Sequence, residues 1–426
     1  MTGFAAFTTL LPALVAKVLD VVGKAGLTIE GLEAVSRTGA KTLWELTLEL
    51  SAGEDELLTR AIDALPNAKV VGRSDRVFTR HRGGKIETVS KVALESLQVL
   101  RDVYTPGVAR VCLAIQEEPE CAREYTNIHR TVAIVTNGTA ILGLGHIGAV
   151  AGMPVMEGKA ALFSTLVGIH AVPILLDETD PARCIDHIAA IAPGFGAIQL
   201  EDFAAPACFE IESGLQARLT RPVLHDDQHC TAVVVLAAVL NAMRRTGRQP
   251  DDCIVGQVGL GAAGIGIVRL LRHAGARRVL GTDLDGSAMK RLAGMGGEAS
   301  TLEEIMKKAD IVIATTGVRG LIRPETVRKG QIIMALSNPD PEIEPGVALA
   351  HGAAIAADGK GINNVLAFPG LFKGALAARA PRFTDAMLLA AARAISELVR
   401  GEDLVPDPLD RAVHEAVAAA VSRSSH

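Results

Sequence analysis

Two acidic clusters in the 426-residue chain have the residue types and spacing that suit a divalent cation. Glu201 and Asp202 follow one short apolar run, and Asp226 and Asp227 follow another. Both runs are typical of strands, and the carboxyl ends of parallel strands face the ligand crevice of an open α/β sheet. Carboxylates that converge there repel one another unless a cation neutralises them. The pattern predicts a Mg²⁺ or Mn²⁺ site, with helix capping by surface acids as the equally weighted alternative.

The histidines and cysteines give weaker signals. His225 and His229 have the i, i+4 spacing of a zinc site, but the neighbouring acids and the lack of a cysteine ligand set make zinc the less favoured metal. None of the six cysteines is in a C-x-x-C pair, and their spacing fits no disulfide framework. This cysteine usage predicts a reducing compartment, and we expect a cytoplasmic protein.

Two further side chains are candidates for proton transfer. Lys159 lies in an apolar segment, where a desolvated lysine near a cation has a lowered pKa and can act as a base. Tyr104 precedes a Pro-Gly turn. On spacing alone, a surface lysine with a buried stem and a core tyrosine are the favoured interpretations.

A glycine-rich segment predicts a dinucleotide site. Residues 257–264 read QVGLGAAG, after an apolar strand and before an apolar helix. In this G-x-G-x-x-G pattern, Gly259 allows the tight turn, Gly261 the approach of a pyrophosphate, and Gly264 the packing of helix on strand. Asp283 ends the next predicted strand and would accept hydrogen bonds from a ribose 2′-OH. The acid favours NAD, although basic residues nearby leave NADP possible, and a ligand-free glycine-rich junction is the alternative.

The order of predicted elements indicates an α/β protein with three domains. Residues 1–80 have the order β-α-β-β-α-β, which is the ferredoxin-like arrangement. Residues 81–228 alternate helices with short strands and form the predicted substrate and metal domain. Residues 229–426 contain the glycine-rich segment and form a Rossmann-type NAD-binding domain with C-terminal helices.

Composition excludes several classes of protein. Hydrophobic residues make up 49% of the chain and charged residues 21%, as in a globular protein. The net charge is −5, and basic and acidic residues are mixed along the chain, so no nucleic-acid partner is expected. No basic region precedes the apolar start, so we do not expect a signal peptide, and no other apolar run has membrane-spanning character, so no membrane partner is expected either.

Several of these segments together resemble the bacterial short-form malic enzymes. The resemblance extends in order over about residues 80–390 and is specific, because unrelated motifs agree. The matching stretches are YTPGVA (104–109), TNGTAILGLGHIG (136–148), PVMEGKAALF (154–163), LEDF (200–203), HDDQHCTA (225–232), the glycine-rich segment, LSNP (336–339) and INNVLAFPG (362–370).

The resemblance implies an activity and a role for each candidate residue. It implies oxidative decarboxylation of (S)-malate to pyruvate and CO₂, with reduction of NAD⁺ and a divalent metal. Glu201, Asp202 and Asp227 match the metal ligands, Lys159 the general base, Tyr104 the general acid and Asp226 an acid beside the lysine. The cofactor-binding positions are Gly259, Gly261, Ala262, Ala263, Gly264, Asp283 and Asn338, and the substrate-binding positions are Asn338 and Asn364.

The chain departs from the family pattern at two positions. His146 stands in GLGHIG where the family usually has Asp or Asn, and Cys230 replaces the glycine of HDDQHGTA. The alternatives are a malolactic or oxaloacetate-decarboxylating relative, or an inactive regulatory binding protein. Residues 1–80 resemble an ACT domain and could bind a small effector, although Ala13 stands where such domains often have glycine. We also expect a homodimer or higher homo-oligomer.

Overall fold

The computed structural model describes residues 2–10, 15–38, 41–50 and 54–425. The chain divides into two compact units, Met1–Glu87 and Thr88–His426. Each unit has a hydrophobic core of its own.

The first unit is an antiparallel four-stranded sheet with helices. Its elements are β1 (Thr2–Leu10), α1 (Val15–Lys24), β2 (Thr28–Thr38), β3 (Lys41–Leu50), α2 (Glu54–Asp63), β4 (Val70–Asp75) and α3 (Arg76–His81). The strand order is β2-β3-β1-β4, and β1 pairs antiparallel with both β3 and β4. The predicted ferredoxin-like arrangement is therefore confirmed, whereas the narrower ACT assignment stays a prediction.

The last strand of this unit is followed directly by a short helix. Strand β4 ends at Asp75 because this carboxylate accepts hydrogen bonds from the amides of Val77 and Phe78 and caps α3. Pro12 and Ala13, which bear on the effector prediction, lie outside the described residues.

The second unit begins with an all-parallel sheet. Its strands are β5 (Thr131–Thr136), β6 (His170–Leu175), β7 (Ala197–Leu200) and β8 (Val223–His225), in the order β6-β5-β7-β8. Its helices are α4 (Leu97–Val103), α5 (Val108–Glu117), α6 (Ala122–Tyr125), α7 (Ala149–Leu162), α8 (Pro181–Ile191), α9 (Ala207–Arg218) and α10 (Asp226–Thr246). Every residue of β5, β7 and β8 is buried, as expected where helices cover both faces of a parallel sheet. The predicted alternation of strands and crossover helices is confirmed.

A second parallel sheet follows along the chain. Its strands are β9 (Ile254–Val258), β10 (Arg278–Thr282), β11 (Glu298–Ala299), β12 (Ile311–Ala314), β13 (Ile332–Ala335) and β14 (Ile355–Asp358). Its helices are α11 (Ala262–His273), α12 (Gly286–Gly294), α13 (Leu302–Lys308), α14 (Pro345–Ala350), α15 (Phe368–Ala377), α16 (Asp385–Glu397) and α17 (Arg411–Arg423). The order β11-β10-β9-β12-β13-β14 is the doubly wound Rossmann order. The predicted α/β fold class is confirmed.

Helix α10 joins the two sheets and carries the second acidic cluster in its first turn. Most of its side chains are buried, and it packs against α11 and α16. Within the described ranges, no helix combines the length and the apolar character that crossing a membrane requires.

Candidate active site

The two acidic clusters meet at one edge of the first parallel sheet. Leu200 and His225 are register partners in β7 and β8, so the next residues, Glu201 and Asp226, leave the sheet side by side. One carboxylate oxygen from each of Glu201, Asp226 and Asp227 lies within 4.8 Å of the others. The expected convergence of acids at this strand edge is present.

Asp202 completes the acidic site with an unusual backbone conformation. Its φ of +56° lies in the left-handed region, and its amide donates a hydrogen bond of 3.1 Å to Oδ2 of Asp227. Oδ2 of Asp202 and Oδ1 of Asp226 are both buried, and neither has a hydrogen-bond partner among the described residues. Buried oxygens that lack a donor are what a cation would satisfy, so the side chains fit a divalent metal.

The electrostatics of the acids agree with that fit. Burial and the charge of Asp227 raise the pKa of Asp202 to about 7, and burial and the charge of Asp226 raise the pKa of Glu201 well above its usual range. Carboxyl groups so crowded need a cation to stay ionised together. Among the described residues, the group that could hold a metal ion consists of Glu201, Asp226 and Asp227 and contains no histidine or cysteine. Its donors are hard oxygens, which favour Mg²⁺ or Mn²⁺ over zinc.

Lys159 lies inside this site on α7 and is only 8% exposed. Its Nζ is 2.6 Å from Oδ2 of Asp226, 3.2 Å from Oε1 of Glu201 and 4.4 Å from the centre of the Phe368 ring. Burial lowers the pKa of Lys159, but Asp226 and Glu201 outweigh burial and raise it above its usual value. The lowered pKa expected from the sequence is therefore not found with these protein groups alone, and a cation that engages the carboxylates would be needed to produce it.

The two candidate asparagines occupy different places. Asn364 donates a hydrogen bond of 2.5 Å to Oδ2 of Asp226, the oxygen that also accepts from Lys159. Asn338 follows β13, and its Nδ2 is 3.4 Å from the carbonyl oxygen of Gly359 after β14. Asn364 thus contacts the acidic cluster directly, and Asn338 lies at the carboxyl edge of the second sheet.

The glycine-rich loop has the geometry of a dinucleotide-binding turn. Gly259 has a φ of +89°, and a Cβ there would lie 2.7 Å from the carbonyl oxygen of Thr315. At Gly264 a Cβ would lie 2.0 Å from the carbonyl oxygen of Gly259, so only glycine lets α11 pack on this strand. A Cβ at Gly261 would meet no atom within 4 Å, which leaves open space at the N-terminus of α11.

Residues around this loop complete the predicted cofactor set. Ala262 and Ala263 form the first turn of α11, whose free amides and positive potential suit a phosphate. Asp283 directly follows β10, and its Oδ2 accepts a hydrogen bond of 2.6 Å from the amide of Leu260. The acid is therefore held beside the glycine loop, where a ribose would lie in this fold.

Tyr104 is the candidate that the structure does not bring to the cluster. Tyr104 directly follows the last residue of α4, and it is 70% exposed. Within the described part of the chain, no hydrogen bond joins its hydroxyl to another residue. His146, the first departure from the family pattern, is also exposed, whereas Cys230 is fully buried.

Glu212 on α9 is a site residue that the sequence analysis missed. Its side chain is 5% exposed; Oε1 accepts from the amide of His225 at 2.7 Å, and Oε2 lies 2.9 Å from Nε2 of His229. Burial raises the pKa of Glu212, but the charge and hydrogen bond of His229 outweigh burial and hold it below the usual value. Glu212 thereby contacts the backbone amide just before Asp226 and the side chain of His229, two residues after Asp227. No sequence signal marked it, because α9 has no distinct apolar face on which an acid would stand out.

Replacement of Glu212 by alanine should loosen the acidic cluster. Removing one partner of a buried charged pair costs about 3–5 kcal/mol, so we expect a clear fall in the free energy of unfolding. Loss of a supporting partner also weakens metal binding by about 10–100-fold. Calorimetric unfolding and Mn²⁺ titration measure both effects. Glu210→Ala, an exposed acid on the same helix, is the matched control and should change neither; equal effects of the two variants would contradict the role.

Family models and relatives agree on one family. Residues 83–216 match the model of the malic enzyme N-terminal domain, and residues 282–423 match that of the malic enzyme NAD-binding domain. The chain is 51% identical to NAD-dependent malic enzyme 1 of Bacillus subtilis over 98% of this chain and 96% of the relative. It is 40% identical to the NAD-dependent malic enzyme of Geobacillus stearothermophilus over 95% of this chain and 90% of the relative.

A solved structure supports the same conclusion. The crystal structure of the NAD-dependent malic enzyme from Thermotoga maritima aligns with a TM-score of 0.78 and 37% identity, over 82% of this chain and 100% of that chain. Together with the acidic cluster, the buried lysine and the Rossmann domain, these matches show that the chain belongs to the malic enzyme family.

Proposed function

We propose that the chain catalyses the oxidative decarboxylation of (S)-malate to pyruvate and CO₂, with NAD⁺ as the preferred oxidant. The observation that carries the proposal is the buried amine of Lys159, within hydrogen-bond distance of carboxylates that converge on a space fit for one cation. The names of the relatives, which are NAD-dependent malic enzymes, support the substrate and the cofactor.

Each candidate residue then has a task. A Mg²⁺ or Mn²⁺ ion held by Glu201, Asp202 and Asp227 would supply Lewis-acid polarisation. Lys159, once neutral, would accept the proton of the C2 hydroxyl as the C2 hydride passes to the nicotinamide. Asp226 holds the amine in place and is itself oriented by Asn364.

The remaining roles are the protonation of C3 of the substrate and the binding of the cofactor. Tyr104 would protonate C3 after C4 has left as CO₂, which gives pyruvate. Gly259, Gly261 and the first turn of α11, with Ala262 and Ala263, would bind the pyrophosphate. Gly264 lets that helix pack closely, and Asp283 would bind the adenosine ribose. Asn338 would contact the nicotinamide side, near the substrate.

A steady-state assay tests this function. Malate is supplied with NAD⁺ or NADP⁺, with and without Mn²⁺, while absorbance at 340 nm and pyruvate are followed together. We expect equal amounts of NADH and pyruvate, a preference for NAD⁺ and no turnover after chelation. Lactate without net NADH would instead indicate a malolactic enzyme, and binding without turnover would indicate a regulatory protein.

Replacement of Tyr104 by phenylalanine should lower kcat for malate decarboxylation. General acid catalysis contributes about 10²–10⁴-fold, and the variant keeps the ring but loses the proton donor. The measurement is pyruvate formation at saturating malate and NAD⁺. Tyr125, the second of the two tyrosines, is also exposed, so Tyr125→Phe is the matched control and should retain normal turnover. A Tyr104→Phe enzyme of normal kcat would remove Tyr104 from the mechanism.

The chain also presents an apolar surface that we assign to a homodimer. Helices α4 and α5 have no buried residue. Short helices gain most of their stability from packing, so a covered face is expected. Large apolar side chains exposed by more than 60% occur in and next to these helices, at Val89, Leu94, Leu97, Tyr104 and Leu113, and again between β5 and the first turn of α7, at Leu142, Leu144 and Val150.

Sedimentation of the enzyme tests the dimer. We expect a dimer of the full chain, and Leu97→Glu should shift it toward the monomer because a charge is then placed in the contact. Leu409→Glu, at an equally exposed leucine far along the chain, is the control and should leave the dimer intact. Since Tyr104 belongs to this surface, a second copy would also determine its surroundings. A wild-type monomer would contradict the assignment.

Two finer predictions remain. The cytoplasmic location rests on the lack of paired cysteines, and an effector at the N-terminal domain rests on its ferredoxin-like fold.

A further inference from the structure

A basic cavity of about 470 Å³ lies away from the acidic cluster. Its volume is within the range of about 300–1,000 Å³ that small-molecule sites occupy. Arg130 lies directly before β5, whereas Glu201 and Asp226 follow the carboxyl ends of neighbouring parallel strands. The cavity and the acidic cluster are therefore at opposite edges of the same sheet. Its basic lining residues are Arg123, His129, Arg130, Lys373 and Arg379.

The positive charge of this cavity is not balanced by its own lining. Glu124 is the one acid among the lining residues. Lys373 and Arg379 pair with acids outside the lining, Glu415 at 2.5 Å and Glu120 at 3.8 Å, and both acids are more than half exposed. Pairs this exposed contribute little, so both cations stay available to a ligand.

Two groups at the cavity have no anionic partner. Within the described part of the chain, Arg123 makes no ion pair and no hydrogen bond, although it is half-buried. Nδ1 of His129 is buried and also has no hydrogen-bond partner there. Burial, together with the charges of Arg123 and Arg130, lowers the pKa of His129. The lining thus has four cationic side chains and one acid, an excess of positive charge that an anion would neutralise.

From this geometry we propose that the cavity is a regulatory site for a small anion with two or more negative charges, a dicarboxylate or a phosphate. Arginine forks bind carboxylate and phosphate oxygens through paired hydrogen bonds, and the lining takes arginines from two segments of the chain, before β5 and after α15. Neither the acidic cluster nor the glycine-rich loop includes any of these residues.

Helix α15 connects the cavity to the catalytic lysine. At its start the Phe368 ring lies 4.4 Å from Nζ of Lys159, and further along the helix Lys373 and Leu376 line the cavity. Phe368 and Phe372 both pack edge-on against Phe163, so a small shift of the helix must move the apolar wall behind the amine. Occupation of the cavity should therefore change the KM for malate, a step that rests on the proposed function.

Binding is measured first, because it does not depend on turnover. Inorganic phosphate and succinate are titrated separately into the full-length enzyme by calorimetry at constant ionic strength. We expect saturable binding of at least one, weakened about tenfold or more by Arg123→Gln, because a charge-assisted pair is lost. Arg393→Gln removes an exposed arginine on α16 outside the cavity and should leave binding unchanged.

The kinetic arm uses the same anions and variants. The anion that binds should change the KM for malate in the wild type and in Arg393→Gln but not in Arg123→Gln. Saturable binding that is identical in all three proteins, or no binding of either anion, overturns the site. Dissociation of a dimer by Arg123→Gln without any anion binding would show that a second copy covers the cavity, which also overturns it. Binding without an effect on KM overturns the coupling through α15, whereas an inactive wild type would count against the proposed function alone.

Discussion

Replacement of Lys159 by methionine should lower kcat for malate oxidation by about 10²–10⁴-fold, the usual contribution of a general base. Methionine keeps the length and the apolar stem, so the contact with the Phe368 ring can persist. What disappears is the amine between Asp226 and Glu201. Turnover at saturating malate, NAD⁺ and Mn²⁺ measures the effect.

The same change should also make the acidic cluster less stable without metal. Asp226 and Glu201 are 0% and 2% exposed, and Lys159 is the cation that balances them. Removing one partner of a buried charged pair costs about 3–5 kcal/mol. We therefore expect a lower free energy of unfolding for the metal-free variant, largely recovered when Mn²⁺ is added. Lys307→Met, an exposed lysine on α13, should change neither quantity. Near-normal turnover of Lys159→Met would exclude the lysine as base.

Much of the architecture could be predicted from the sequence, because strands buried on both faces leave a continuous apolar run. The apolar runs before Glu201 and Asp226 form β7 and β8 in the structure. The acids could be assigned to one edge of the sheet because parallel strands end together. Strand β11 was not predicted, because its two residues, Glu298 and Ala299, are exposed and carry no apolar pattern.

Contacts between distant segments were beyond the reach of sequence spacing. Asp226 and Lys159 are 67 residues apart, and Asn364 is 138 residues from Asp226. The resemblance to the family identified these positions, but their shared hydrogen bonds follow only from the fold, which brings together α7, the first residue of α10 and the turn at Asn364. The same is true of Glu212, whose two partners come from the next strand and helix.

The sequence also could not fix the sign of the pKa shift at Lys159. An apolar segment predicts desolvation, which lowers the pKa, but says nothing about which acids lie near the amine. The fold places Asp226 and Glu201 against Nζ, and their charge outweighs burial. For Tyr104, the family motif predicts a position in the active site, but its side chain is exposed in the single chain.

The second large effect is expected on Mn²⁺ binding, when one of the metal ligands is replaced. The family resemblance assigns Glu201, Asp202 and Asp227, whereas the three acids that lie closest are Glu201, Asp226 and Asp227. Oδ2 of Asp226 already accepts from Lys159 and Asn364, which leaves only its Oδ1 for a cation. Oδ2 of Asp202 is also buried without a partner, but among the described residues Asp202 makes no ion pair with Lys159, so we propose Asp202 rather than Asp226 as the ligand.

Asp202→Asn should therefore raise the dissociation constant for Mn²⁺ by more than about 100-fold, since even a supporting partner is worth about 10–100-fold. Asp226→Asn, which removes a supporting partner, should raise it by no more than about 10–100-fold, while lowering kcat because Lys159 loses its anionic partner. Both substitutions preserve side-chain shape, and direct Mn²⁺ titration of the nucleotide-free enzyme separates binding from turnover. If Asp226→Asn weakened Mn²⁺ binding more than Asp202→Asn, Asp226 would be the ligand, and the lysine would then share its partner with the metal. Because the two acids follow adjoining strands at the same edge, comparing these two variants distinguishes a residue that holds the cation from one that holds the base.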